Sequence, residues 1–302
     1  MTVVVTLIAD PTGRGLDDRW LASLNLALAG AGFEPAPPVW LSPGEAADII
    51  VASADLAAVR AVAEAALDGM PIDVGVQPPA NRRKRLLVAD MDSTIIGQEC
   101  IDELAAAMGL REEVSAITER AMRGEIEFAG ALRERAAMLA GLGGDEMDAV
   151  LRDRITLNPG ARTLVATMRK NGAFTALVSG GFTFFTSRIR ARAGFDIDQA
   201  NVLLTDDGGK LTGLVAEPVL GRAAKREALQ ALTAARGFAA AETMAVGDGA
   251  NDLAMIEAAG LGVAFRAKPA VAEQADVRIT HGDLTALLFL QGYQRAEFIT
   301  PT

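Results

Sequence analysis

The sequence predicts an α/β protein whose main body is a doubly wound, Rossmann-like parallel sheet, with a helical cap inserted near its start and a small α+β unit in front. Three observations lead there. Short apolar runs alternate with helical patterns from residue 157 onward, the βα repetition of parallel sheets. The first core strand, Leu86 to Ala89, ends in Asp90-Met91-Asp92, which sets two acids where such sheets place their ligands. Residues 1 to about 80 read as strand, helix, two strands, helix and strand, the ferredoxin-like order.

In chain order, Val3 to Ile8 reads as a strand and Asp17 to Ala29 as an amphipathic helix. Pro35 to Leu41 and Asp48 to Val51 read as strands, Leu56 to Leu67 as a second helix, and Ile72 to Gln77 as the closing strand. PPANRRKR, residues 78 to 85, has the composition of a linker ending in a solvated basic run. After the first core strand, Ile96 to about Arg154 offers only helical patterns: Ile101 to Met108, Glu112 to Arg123, Glu127 to Ala140 and Asp145 to Arg152. A helical insertion between two core strands is expected to act as a cap that excludes water and reads the substrate. The expected division is therefore 1–80, a core of 81–95 and 155–302, and a cap of 96–154.

Beyond the cap, Pro159 suits the first turn of a helix and Gly172 its stop. The strand Phe174 to Val178 delivers Ser179, Gly180 and Gly181 ahead of a helix from Thr183. Glycines there let the backbone approach closely, and amides at a helix start favour an anion. Asn201 to Val215 reads as a hairpin with a glycine-rich turn. The remainder alternates: helix Ala224 to Arg236, strand Thr243 to Val246, helix Asn251 to Ala259, strand Leu261 to Ala264, helix Pro269 to Gln274, strand Val277 to Ile279 and a closing helix Leu284 to Tyr293.

Composition removes several classes of function. At 302 residues and 50% hydrophobic, the chain is an ordinary globular one with room for two or three cores. A net charge of −10 argues against nucleic acid or an anionic membrane as partner, and no apolar run approaches membrane-spanning length. The N-terminus lacks a secretory pattern, and the lone cysteine, Cys100, forms no internal disulfide; both fit a cytoplasmic protein. One histidine, His281, cannot build a histidine-rich metal site. A cysteine phosphatase would want arginine six positions after Cys100, where Ala106 stands.

Chemistry gathers in the acids. In extended chain, residues i and i+2 project to one side, so Asp90 and Asp92 can face one site. A second pair, Asp248 and Asp252, follows the strand Thr243 to Val246. Four converging carboxylates repel one another and need a cation. Oxygen ligands without histidine or cysteine suit a hard divalent ion such as Mg2+.

The ordered set of DMDST, Ser179-Gly180-Gly181, Lys225 and GDGAND resembles the haloacid dehalogenase superfamily of aspartyl-phosphate phosphatases. Within it, DMDSTIIGQECIDELA and ITERAMRGEIEFAGALRERAAML resemble the phosphoserine phosphatases, over about residues 82 to 292. The resemblance implies a Mg2+-dependent hydrolysis of O-phospho-L-serine, the last step of serine synthesis, with Asp90 as nucleophile and Asp92 as general acid and base. P-type ATPases carry lysine at the position of Asp92. It further implies metal ligation by Asp90, Asp92, Asp248 and, through water, Asp252, and phosphate contacts from Ser179, Gly180, Lys225 and Asn251. Glu99 would take the substrate ammonium and Arg135 its carboxylate, while Met122 and Phe128 close over the substrate. Phosphothreonine hydrolysis, transfer to homoserine, and an amino-acid sensor with a vestigial core remain alternatives. ADPTG followed by a helix and GAGFEP resembles ACT-type regulatory domains, which implies a serine site or, equally, a homodimerisation module without ligand.

Overall fold

The computed structural model describes residues 1–13, 15–122 and 125–301, the Met122 side chain excepted. The first unit runs β1 (Thr2–Ala9), α1 (Asp18–Gly30), β2 (Glu34–Pro35), β3 (Val39–Ser42), β4 (Ala46–Ala52), α2 (Leu56–Ala66) and β5 (Ile72–Gln77). Its antiparallel sheet has the order β2-β4-β1-β5, with β3 also on β4. β2 and β3 are two pieces of one edge strand, Pro35 lying opposite Val51 and Val39 opposite Asp48. The sequence predicts that strand as continuous; Pro37 and Pro38 lack the N–H groups a ladder needs and interrupt it. α1 starts at Asp17, whose carboxylate accepts from the Arg19 and Trp20 amides at 2.9 and 3.2 Å.

Alternation along β1 gives this sheet two apolar faces. Val3, Val5 and Leu7 pack under the helices with Leu24, Leu28 and Val59, while Ile8 and Ala46 join the core of the second body. The two bodies are bonded as well as packed. Asp73 on β5 accepts from the amides of Thr280, His281 and Gly282, the shortest at 2.7 Å. Arg82 donates to Asp48 at 2.6 and 2.7 Å, to the Thr6 hydroxyl at 2.8 Å and to the Leu290 carbonyl at 2.8 Å.

The second body begins with β6 (Leu86–Ala89) and four helices, α3 (Cys100–Ala107), α4 (Arg111–Met122), α5 (Phe128–Met138) and α6 (Gly144–Asp153). It continues with α7 (Ala161–Lys170), β7 (Phe174–Phe182), α8 (Thr183–Ala193), β8 (Ile197–Asn201) and the hairpin β9 (Leu203–Thr205) and β10 (Leu211–Val215). α9 (Arg222–Ala235), β11 (Thr243–Gly247), α10 (Leu253–Ala258), β12 (Gly262–Phe265), α11 (Pro269–Ala272), β13 (Val277–Ile279) and α12 (Ala286–Leu290) complete it. The six-stranded sheet, β13-β12-β11-β6-β7-β8, is parallel throughout.

Counted from β6, that order is the doubly wound 3-2-1-4-5-6, so the chain leaves β6 to one side and returns to its other side at β11. The carboxyl ends of β6 and β11 therefore flank the crevice. β6 is buried on both faces, Leu87 and Ala89 in one cluster and Leu86 and Val88 in the other. β8 is absent from the sequence expectation because IDQAN has no apolar run; only its pairing with β7, Ala176 opposite Ile197, makes it a strand.

Two connections join α3–α6 to the sheet, and they are tied together. Ile96 bridges Leu157, and Gln98 and Thr156 exchange two bonds of 2.9 Å. Asn158 Nδ2 donates to the carbonyls of Thr94 (2.8 Å) and Ile96 (3.2 Å). Among the described residues no helix is long and apolar enough to cross a membrane.

Candidate active site

Register brings the acids together. Ala89 pairs with Val246, and the Asp90 amide extends that ladder to the Val246 carbonyl at 3.0 Å. Asp90 and Asp248 thus leave adjacent strand tips, and neighbouring strands lie about 4.8 Å apart. Asp252 returns to the same point from the start of α10, fully buried. A carboxylate oxygen from each of Asp90, Asp248 and Asp252 lies within 4.8 Å of the others. A side chain at Gly247 would collide with the Asp252 carboxyl group, so the close return requires glycine there.

Lys225, from the first turn of α9, is the cation inside this cluster. Its Nζ lies 2.6 Å from Asp90 Oδ1 and 2.6 Å from Asp252 Oδ1, with all three side chains buried. Asp252 Oδ2 takes the Gly249 amide at 3.0 Å, and Asp90 Oδ1 also takes the Met91 amide at 2.8 Å. Among the described residues no protein donor reaches Asp90 Oδ2.

One ammonium does not neutralise three carboxylates. Burial, and then the charge of Asp252, push Asp90 well above the ordinary aspartate value despite Lys225. The same two causes lift Asp248 to about 6. Burial works against the Lys225 charge, but Asp252 and Asp90 outweigh it and hold the lysine above its ordinary value. The site is thus short of positive charge, and among the described residues its candidate metal ligands are carboxylate oxygens, which fits a hard divalent cation.

Asp92 faces elsewhere. Oδ1 accepts from the Cys100 amide at 3.2 Å, and Oδ2 lies against Gly181. Burial, and then the charge of Glu99, raise it to about 7, so its carboxyl group holds a proton near neutrality. The turn that aims it is strained: Ser93 sits at φ 54°, a left-handed conformation unusual for serine. Ser93 Oγ donates to Glu99 Oε1 at 2.6 Å, and Thr94 Oγ1 to Asp248 at 3.3 Å.

β7 supplies Ser179, whose hydroxyl accepts from the Gly181 amide at 2.8 Å, and Gly180. A side chain at Gly180 would press on Phe128, whose ring reaches down from α5 onto this turn; its ideal Cβ would lie 3.1 Å from Phe128 Cζ. Asn251 is half-buried in the turn that carries Asp252. Glu99 occupies the N-cap position of α3 without a side-chain cap bond, and Arg135 lies in the last turn of α5. They form no ion pair with each other; Arg135 Nε donates to the Ala131 carbonyl and Nη1 to Thr118 Oγ1, both at 3.3 Å. The Met122 side chain lies outside the described residues.

The structure adds Ser93, Thr94, Asp102 and Thr118 to the surroundings of the site. Thr94 and Asp248 are far apart in sequence and meet only because β6 neighbours β11, so no local spacing marks them. Asp102 falls one turn after Glu99 on α3, and its charge reaches Arg135.

Residues 87–257 match the family model of the haloacid dehalogenase-like hydrolases. A curated phosphoserine phosphatase from Streptomyces coelicolor is 44% identical over 234 residues, which are 78% of this chain and 57% of that relative. Among solved structures, a HAD family hydrolase, t0658, from Salmonella enterica serovar Typhi superposes with a TM-score of 0.83 at 31% identity, covering 95% of this chain and 98% of that one. A phospho-aspartyl intermediate analogue of phosphoserine phosphatase gives 0.63 at 40% identity, over 68% of this chain and 98% of that one. The matched segment runs from β6 into α10 and holds every strand-tip acid described above: the chain belongs to the haloacid dehalogenase-like hydrolases.

Proposed function

We propose that the chain is a Mg2+-dependent phosphatase that hydrolyses O-phospho-L-serine through an aspartyl phosphate on Asp90. The observation that carries this is a pairing of charges. A buried carboxylate beside Lys225 suits a phosphoryl group, and the nearby Glu99 and Arg135, whose charges reach Asp92, suit the two ends of an amino acid. Relatives named phosphoserine phosphatase support the same substrate.

In this reading a carboxylate oxygen of Asp90 attacks phosphorus, and the bond from phosphorus to the serine oxygen breaks. Asp92 gives its proton to that departing oxygen, which the raised pKa of its carboxyl group allows near neutrality. A water then attacks the phosphorus of the aspartyl phosphate, the Asp92 carboxylate takes the proton from that water, and phosphate leaves with Asp90 restored. Lys225 stays charged throughout and faces the transferring group, with Ser179, the Gly180 turn and Asn251 around it. Asp90, Asp248, the backbone carbonyl of Asp92 and, through water, Asp252 would hold Mg2+, which supplies positive charge against the phosphoryl oxygens.

Residues 96–154 act as the cap in this account, with Phe128 against the phosphate turn and Glu99 and Arg135 setting the choice of substrate. A phosphothreonine substrate or a homoserine acceptor differs by a methyl or methylene group, worth about 1–3 kcal/mol of discrimination. Residues 1–80 serve as an ACT-like unit for serine binding or homodimer formation.

Phosphate release from O-phospho-L-serine, phosphothreonine and a sugar phosphate, with Mg2+ and with EDTA, tests the proposal. Metal-dependent turnover that is fastest on phosphoserine supports it. Preference for the sugar phosphate removes the amino-acid clamp, and no turnover on any of them favours the sensor alternative.

A further inference from the structure

Arg135 carries its charge in a largely desolvated place. Burial pulls its pKa below the ordinary arginine value, while the charges of Asp102, Glu99 and Asp92 oppose that loss. Among the described residues, two of its N–H groups have protein acceptors. Nε donates to the Ala131 carbonyl one turn back on α5, and Nη1 donates to the Thr118 hydroxyl on the neighbouring helix α4, each at 3.3 Å.

The Thr118 hydroxyl is itself fixed. Its single proton goes to the Val114 carbonyl at 3.1 Å, so a lone pair is what it presents to Arg135. A threonine inside a helix commonly makes only that bond to the preceding turn. Here the same oxygen also accepts a charged donor from a second helix. A guanidinium is a rigid plane with five donors, so holding one N–H at Nε and one at Nη1 sets the direction of the rest. Those remaining donors are the ones a carboxylate takes in a forked pair.

We propose that Thr118 is a positioning residue for substrate selection: its hydroxyl sets the plane of the Arg135 guanidinium so that the free N–H donors meet the carboxylate of the phospho-amino acid. This rests on the assignment of Arg135 to that carboxylate. Thr118 touches neither the phosphoryl group nor the reacting oxygen, so its effect is confined to recognition. Valine has the same shape without the acceptor, and serine restores the acceptor without the methyl group.

The test compares O-phospho-L-serine with O-phosphoethanolamine, which keeps the ammonium and the phosphate and lacks the carboxylate. The full chain with Mg2+ is assayed as wild type, Thr118→Val and Thr118→Ser. For Thr118→Val, the ratio of kcat/KM for phosphoserine to that for phosphoethanolamine falls about tenfold, mainly through KM, as expected for losing a hydrogen bond to a charged group. Thr118→Ser recovers most of the ratio. An unchanged ratio in Thr118→Val, or equal losses on both substrates, overturns the positioning role. A wild type that does not prefer phosphoserine over phosphoethanolamine overturns the assignment of Arg135 itself, and the two failures are thereby distinct.

Discussion

Asp248→Asn removes one charge from the acidic cluster while keeping the side chain's size and an acceptor for the Thr94 hydroxyl. In the unfolded chain this carboxyl has the ordinary aspartate value of 3.8, and in the fold it is raised to about 6, by burial first and then by Asp252. The folded protein therefore binds this proton more tightly than the unfolded one, and the group's contribution to stability falls as pH rises from about 4 through about 6, then stays level. At about 1.4 kcal/mol per pKa unit, the ionised carboxylate costs the metal-free fold roughly 3 kcal/mol at pH 8, and roughly half of that at pH 5. Urea denaturation in EDTA measures it. Asp248→Asn should be more stable than wild type by roughly 3 kcal/mol at pH 8, with the gap narrowing at pH 5. Adding Mg2+ should raise the wild-type midpoint more than the variant's, because a ligand that binds only the folded state stabilises it in proportion to its affinity. A variant no more stable than wild type at pH 8 without metal would refute the view that the cluster is short of positive charge.

Two further outcomes concern parts of the molecule away from the chemistry. Arg82→Met leaves Asp48 without its cation where the two bodies meet, and should lower stability by about 3 kcal/mol in urea titrations. Cys100 is buried, and burial with the charge of Asp92 raises its thiol well above the usual value; a thiol reagent should label it at least about a hundredfold more slowly in the native protein than in urea.

How far the sequence could be read depended on whether a feature is local. The strands Ile72–Gln77 and Val277–Ile279 stand where their apolar runs predict them, and the cap helices shift by only one or two residues at most ends. Asp90 and Asp248 are legible because each follows the end of an apolar strand and parallel neighbours bring strand ends together, and Asp252 because it follows Asp248 by four residues in the same GDGAND stretch. β8 was hidden because its residues are polar and its order comes from pairing alone. The partners of the site residues were hidden for the same reason. Ser93 on Glu99 and Arg135 on Thr118 depend on a left-handed turn and on helix packing, which no spacing in the chain encodes. PPANRRKR has the composition of a solvated linker, yet Arg82 and Lys84 are drawn inward, Arg82 onto Asp48 and Lys84 onto the Ala241 carbonyl at 2.8 Å. A basic run looks exposed by composition, and only the acceptors that face it decide otherwise.

If Asp90 is the nucleophile, it carries a covalent phosphate during turnover. The enzyme is mixed with O-phospho-L-serine and Mg2+, quenched in acid within a turnover, and reduced with borohydride, which converts an aspartyl phosphate to homoserine. Peptide mass spectrometry should find homoserine at position 90, and none in Asp90→Asn. Steady turnover with aspartate intact at position 90, or phosphate carried by Ser93 or another residue, would contradict the account.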